Sequence, residues 1–259
     1  MDHHGQTTLI TGASSGIGVE FARALAARGS NLVLVARRRD RLEDLARELR
    51  KQHGITATPI AMDLSLPGAG PALEAALDEH GLAITSLINN AGFGTTGQFH
   101  EVDPDRLTAE ITLNVTSLVS ITRTFIERLR AHGDGVLVNV ASMAAYQGNP
   151  SMAVYGATKA FVLNFTEALW YESRGTGLRV LVLSPGATET EFFDVAGEKG
   201  HTGPRMSAER VVRTALDALD RRNPPPGVIA GRVNRASAVA SRLVSRKRMT
   251  MAIGAMMSR

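Results

Sequence analysis

Thr7-Thr8-Leu9-Ile10-Thr11-Gly12-Ala13-Ser14-Ser15-Gly16-Ile17-Gly18 decides the fold: five β-branched or apolar residues run into a glycine-rich turn, and an amphipathic stretch ending at Arg28-Gly29 follows. The order is strand, loop, helix, stop. Glycines spaced Gly-x-x-x-Gly-x-Gly between a strand and a helix let backbone N–H groups approach an anion, and the helix N-terminus adds partial positive charge. A nucleotide pyrophosphate is the expected ligand, held by Gly12, Ser14, Ser15, Gly16, Ile17 and Gly18.

The pattern recurs along the chain. NLVLVA (31–36) precedes a charged helix over 39–53, and TATPIAM (56–62) precedes one over 71–80. TSLIN (85–89) leads to a long helix over 105–130, GVLVNVA (135–141) to one over 153–173, and LRVLVLS (178–184) comes next. NPPPG (223–227) ends a helix and starts a last short strand, GVIAG. Apolar strands without alternation, separated by helices, imply a parallel sheet covered on both faces. The expected fold class is therefore α/β: one doubly wound, Rossmann-like domain of about seven strands over residues 1–231, with a basic extension over 232–259.

A chain of 259 residues with 44% hydrophobic content can bury a full core. It contains no cysteine, which excludes disulfides, thiolate metal sites and a cysteine nucleophile, and no metal site is expected. The N-terminus MDHHGQTTLITG has no export signal, and no apolar run is long enough to span a bilayer, so a cytoplasmic protein is expected. The net charge of +4 is unevenly placed. Residues 205–259 hold 12 Lys/Arg against 3 Asp/Glu, whereas the rest holds 17 against 22. Basicity belongs to the tail, and without an aromatic stacking platform it does not indicate nucleic-acid binding.

The end of the second strand refines the ligand. An NAD-binding version of this fold places an acidic residue there for the adenosine ribose, whereas this chain has Ala36-Arg37-Arg38-Arg39. Three cations at a helix N-terminus oppose the helix dipole unless something anionic lies close by. A planar guanidinium suits a 2′-phosphate. NADP(H) is the expected cofactor, with Arg37 the first candidate for the phosphate and Arg38 and Ser14 beside it.

Tyr155-Gly156-Ala157-Thr158-Lys159 puts a phenol and an ammonium on one helical face. A cation beside a phenol favours phenolate and is expected to lower the tyrosine pKa toward neutrality. Ser142 ends the preceding strand, at the carboxyl edge where ligands bind in open α/β sheets. The three side chains converge on one expected carbonyl oxygen.

Together these segments resemble the short-chain dehydrogenase/reductase family. Its cofactor fingerprint is TGxxxGxG, here TGASSGIG, and its catalytic set is a serine thirteen residues before Tyr-x-x-x-Lys, here Ser142, Tyr155 and Lys159. Further matches are Asn89-Asn90-Ala91-Gly92 for the family's NNAG, Asp63, Asn114, and Pro185-Gly186-Ala187-Thr188-Glu189-Thr190. The resemblance implies that Asn114 is a fourth catalytic residue holding a water that links Lys159 to solvent, and that Lys159 also binds the nicotinamide ribose. It places Asp63 and Leu64 by the adenine, Asn90, Ala91 and Gly92 along the cofactor, and Pro185, Gly186, Thr188 and Thr190 beside the nicotinamide. It implies a carbonyl–secondary alcohol oxidoreductase with a small-molecule substrate, assembled as a homodimer or homotetramer. A non-catalytic cofactor-binding regulator and an epimerase or dehydratase relative are the rivals. Intact Ser142, Tyr155 and Lys159 argue against the first, and the glycine spacing argues against the second.

Residues 189–206 read as a mobile lid, with Phe192 and Met143 against the substrate and Phe93, Gly94, Gln98, Ala144 and Gln147 as further candidate lining. The tail carries apolar or small residues at 233, 236, 240 and 243 on one helical stripe. Such a stripe can make peripheral contact with an anionic membrane, or can cover a subunit interface or the pocket.

Overall fold

The computed structural model describes residues 3–197 and 205–257. Its centre is a seven-stranded, wholly parallel sheet in the order β3-β2-β1-β4-β5-β6-β9. The strands are β1 (Thr7–Thr11), β2 (Asn31–Ala36), β3 (Ala57–Ala61), β4 (Ser86–Asn89), β5 (Val136–Val140), β6 (Arg179–Ser184) and β9 (Gly227–Ile229). β1 is flanked by β2 on one side and β4 on the other. The chain therefore reverses its winding at the carboxyl ends of β1 and β4, the place where open α/β sheets bind ligands.

Each buried strand feeds both faces. Ile10, Leu32 and Leu34 pack with α1 (Gly16–Ala26), α2 (Arg39–His53) and α8 (Ala208–Leu219), through Phe21, Leu42, Leu49 and Val211. Leu9, Val33 and Val35 pack on the opposite face with α3 (Ala69–Glu79) and α5 (Leu118–His132), through Leu73, Leu77, Ile121 and Phe125. α6 (Ala153–Glu172) completes that face through Val162 and Leu163 against Val182. A polar chain runs through the core beneath the site: Asn89 Nδ2 donates to Thr122 Oγ1 and Asn139 Oδ1, and Asn139 Nδ2 donates to Thr166 Oγ1, each at 2.9 Å. Asn89 is thus a buried anchor between sheet and helices.

Two helices differ from their expected bounds in ways that bear on the site or on a proline. α3 begins at Ala69, so that Pro71 lies in the first turn, where its missing N–H has no intrahelical partner to lose. The helix expected over 105–130 is three pieces: α4 (Pro104–Ile111), a π-helical segment Thr112–Ser117, and α5. Widened π turns recur at functional sites, and this one carries Asn114.

The tail forms α9 (Arg232–Leu243) and α10 (Arg246–Met257). The apolar stripe of α9 faces outward: Val233 is 78% and Leu243 83% exposed, while Ala238 is buried. Among the described residues no helix is long and apolar enough to cross a membrane.

Candidate active site

The glycine loop is tied to the sheet before it meets any ligand. Thr11 Oγ1 accepts from the N–H groups of Asn90 and Ala91, both at 3.0 Å, and Asn90 Nδ2 donates to the carbonyls of Thr11 and Gly12. The carboxyl ends of β1 and β4 thereby become one platform. Gly12 has φ +67°, and a Cβ there would lie 2.8 Å from Asn90 Nδ2. A Cβ on Gly18 would lie 2.2 Å from the Gly12 carbonyl, so the loop folds against its own helix only as glycine. Ser15 caps α1 without a side-chain bond, leaving the first-turn N–H groups facing the cradle. These features fit a dinucleotide pyrophosphate.

One groove of about 820 Å³ runs from this cradle across the sheet edge to Tyr155. It is lined by every expected cofactor residue except Gly18, which packs behind Gly12, and by Ser142, Met143, Tyr155 and Phe192 of the expected substrate residues. Asn114 also stands behind the wall, against Gly92.

At the end of β2 the two neighbouring arginines diverge. Arg38 is held inward: its Nε and Nη2 donate to Ser14 Oγ at 3.2 and 3.0 Å, and Nη2 also reaches the Ser14 carbonyl. Arg37, expected to lead, lines the groove with its side chain exposed. The preformed corner is therefore Ser14–Arg38, with Arg37 at its rim. Asp63 accepts from the Ser65 N–H and hydroxyl at 2.9 and 2.7 Å, and these bonds hold its carboxyl below the usual carboxylate range.

At the other end lie the chemical groups. Ser142 follows β5 and caps the 3₁₀ turn Met143–Tyr146, its Oγ accepting from the Ala144 N–H at 3.1 Å. Tyr155 and Lys159 occupy the first two turns of α6 and are both buried. Lys159 Nζ donates to the Val140 carbonyl at 2.8 Å and lies 5.8 Å from the centre of the Tyr155 ring.

The expected lowering of the tyrosine pKa is not found. Burial pushes the Tyr155 phenol up to about 12, the Ser142 hydroxyl opposing it, and burial pulls Lys159 down to about 8. The Glu110 carboxylate adds to the effect of burial on the phenol, while the Lys159 cation is directed at a backbone carbonyl.

Asn114 is committed on both sides of its amide. Nδ2 donates to the Phe93 carbonyl at 2.8 Å and to Thr158 Oγ1 at 3.1 Å, while Oδ1 accepts from the Phe93 N–H. Its side chain joins the π segment to the β4 loop and to α6. Four residues earlier stands a group that sequence reasoning missed. Glu110 is fully buried, with the Thr95 hydroxyl close by, yet neither carboxylate oxygen makes a well-formed hydrogen bond among the described residues. Burial raises its pKa, opposed by Thr95, Arg106 and Lys159.

The segment expected as a lid is partly regular. β7 (Thr188–Glu189) pairs in parallel with β8 (Met206–Ser207), and α7 (Phe192–Ala196) lies between them in sequence; residues 198–204 fall outside the described residues. The segment bridges the groove. The Thr190 methyl would lie 2.6 Å from a Cβ on Gly16, the Phe192 ring is 5.2 Å from that of Tyr155, and Arg106 Nη2 donates to the Val195 carbonyl at 2.7 Å. Phe93, Met143 and Ala144 line the groove, and so do Asn149 and Met152, which were not anticipated. Gln98 and Gln147 are not among its lining residues, and Gly94 lies beneath Phe192, where a Cβ would come within 2.8 Å of the ring. α10 borders this end: Thr250 Oγ1 would lie 2.9 Å from a Cβ on Gly148, and Pro150 Cγ 3.3 Å from one on Gly254.

The short chain dehydrogenase family profile matches residues 6–200. The chain is 41% identical to sulfoacetaldehyde reductase of Chromohalobacter salexigens, over 82% of this chain and 83% of that protein. It is 31% identical to 7β-hydroxysteroid dehydrogenase of Collinsella aerofaciens, over 91% and 90%. Its structure superposes on a short-chain dehydrogenase from Sphingobium yanoikuyae in complex with NADPH with a TM-score of 0.82 at 36% identity, covering 95% of each chain. The chain belongs to the short-chain dehydrogenase family and is an NAD(P)-dependent oxidoreductase interconverting alcohol and carbonyl groups.

Proposed function

We propose that this chain is an NADP(H)-dependent oxidoreductase interconverting a carbonyl and a secondary alcohol, with Tyr155 as the proton donor and acceptor. The observation that carries the reading is a single groove with a Ser14–Arg38 corner at one end and Ser142, Tyr155 and Lys159 at the other. The cradle of Gly12, Gly16 and Gly18 would hold the pyrophosphate, Ser14, Arg37 and Arg38 the 2′-phosphate, and Asp63 with Leu64 the adenine. Asn90 to Gly92 and Pro185 to Thr190 would flank the nicotinamide half. That half supplies or accepts the hydride when bound.

Each catalytic side chain has one task. Ser142 holds the substrate oxygen by its hydroxyl. Tyr155, protonated throughout the neutral range with a pKa of about 12, gives its proton to that oxygen in reduction and takes it back in oxidation. Lys159, with a pKa of about 8, is the buried group able to release a proton near neutrality, and its cation offsets the charge of the phenolate. Asn114, through its bonds to Phe93 and Thr158, fixes the wall behind them.

Phe93, Met143, Met152 and Phe192 favour a partly apolar carbonyl substrate. Residues 1–231 form the catalytic body and 232–259 an extension that borders the substrate end. Exposed Phe161 and Tyr171 on α6 support homodimer or homotetramer formation, and the cysteine-free composition fits a cytoplasmic setting. Peripheral membrane contact through the tail is a second reading, favoured by exposed Val233 and Leu243 beside arginines.

The test is cofactor consumption across a panel of ketones and aldehydes, with NADPH and with NADH. Turnover with NADPH faster than with NADH on at least one carbonyl is expected. Tight NADPH binding without turnover on any member would favour the regulator reading.

A further inference from the structure

A bridge crosses the groove at the corner assigned to the 2′-phosphate. Glu191 sits just before α7, and its carboxylate does not cap that helix. Instead Oε2 accepts from Arg38 Nη1 at 2.7 Å and Oε1 from Arg41 Nη1 at 2.5 Å. The two arginines hold the carboxyl below the usual range. Arg38 is the residue before α2 and Arg41 lies in its first turn, whereas Glu191 stands before α7.

Counting donors shows what this bridge does to Arg38. Of its five N–H groups, Nε and Nη2 are directed at Ser14 and one on Nη1 at Glu191. A phosphate binds a guanidinium best through two parallel N–H groups. Ser14 is fixed in the glycine loop, so the partner that can yield is the carboxylate.

We infer that Glu191 is a specificity-determining residue that competes with the cofactor's 2′-phosphate for Arg38, while Arg41 holds the other oxygen of its carboxylate. The inference rests on the assignment of the Ser14–Arg38 corner to that phosphate. Arg38, Arg41 and Glu191 side chains are 39%, 46% and 41% exposed, so each ion pair is weak enough to exchange. A phosphate with nearly two negative charges displaces a single carboxylate from such a pair. An unphosphorylated ribose brings no competing charge and leaves the bridge intact. Glu191 therefore reduces the advantage of the phosphorylated cofactor and has no comparable effect on the other. Displacement also reaches the catalytic end, because Thr190 rests on Gly16 and Phe192 on Tyr155.

The experiment compares the full-length protein with its Glu191→Gln variant. Binding of 2′,5′-ADP and of 5′-ADP is measured by calorimetry, and that of NADPH and NADH by fluorescence titration. The expected result is about three- to tenfold tighter binding of 2′,5′-ADP and NADPH to the variant, equivalent to removing weak exposed ion pairs. 5′-ADP and NADH should change by less than about twofold, and the gain should shrink in 1 M salt. Unchanged binding of all four, or weaker binding of all four, overturns competition; the second result makes the bridge a clamp on the groove instead. If the parent protein itself shows no preference for 2′,5′-ADP over 5′-ADP, the corner assignment fails and this inference with it.

Discussion

Tyr155 and Lys159 show how far a side chain's identity is from its chemistry. Their spacing on α6 was legible in the sequence, and so was Ser142 at the end of β5. The direction of the tyrosine's pKa shift was not, because it depends on both groups being buried and on Lys159 turning to the Val140 carbonyl. Arg37 and Arg38 carry the same lesson: adjacent in sequence, they leave β2 in different directions, and only the fold turns Arg38 toward Ser14. Glu110 was invisible for a related reason. In Thr108-Ala109-Glu110-Ile111 it reads as a solvated helix position, yet α4 turns it into the protein beside Thr95. A carboxyl whose pKa is raised in the folded protein contributes stability at acid pH that is lost as pH rises through that raised value. Glu110→Gln should therefore be more stable than the parent at pH 7 to 8, by about 1–3 kcal/mol, with the difference closing toward pH 4. Denaturant unfolding at both pH values measures it; a variant less stable at pH 8 would show that the ionised carboxylate is satisfied.

At the level of elements, alternating strand and helix segments gave the sheet and its coverage, and β1 with its glycine loop fixed where a ligand would lie. What local pattern could not show was the break in the helix expected over 105–130. Apolar periodicity continues across the π segment Thr112–Ser117, so only the backbone reveals the widened turn around Asn114. The polar chain Asn89–Asn139–Thr166 was equally hidden, since its members lie on three elements far apart in sequence. The glycine loop is the element whose geometry allows least change. A methyl on Gly18 would press into the Gly12 carbonyl at 2.2 Å, moving the loop away from α1. Gly18→Ala should weaken dinucleotide binding by at least about tenfold, or 1.4 kcal/mol, while the protein stays folded. Parallel titration and circular dichroism would check this, and an unchanged affinity would remove the loop from the binding site.

On the scale of the whole molecule, neither of the two main sheet-facing cores extends past Ala230, and the tail lies outside them. The sequence showed a basic extension with one apolar stripe. It did not show that the stripe faces outward or that α10 reaches Gly148 and Pro150, because that contact joins residues about a hundred positions apart. Ending the chain after Gly231 should raise the KM for the carbonyl substrate several-fold, since the loop that α10 borders leads to Asn149 and Met152 in the groove, and should weaken dinucleotide binding to a smaller extent, since Asn234 of α9 lies against Gly186. Vesicle sedimentation of the same pair would test membrane contact: binding to anionic vesicles that survives truncation rules the tail out as the anchor.

The groove has meaning as an active site only if Tyr155 moves the proton. The most direct measurement is turnover of NADPH with a carbonyl substrate by Tyr155→Phe, set beside its NADPH affinity by fluorescence titration. The phenyl ring keeps the packing against Phe192 and removes only the hydroxyl. Affinity should stay within a few-fold of the parent while turnover falls by at least about 100-fold, the scale of lost general acid catalysis. Turnover at the parent rate with affinity intact would contradict the assignment of Tyr155 as the proton donor.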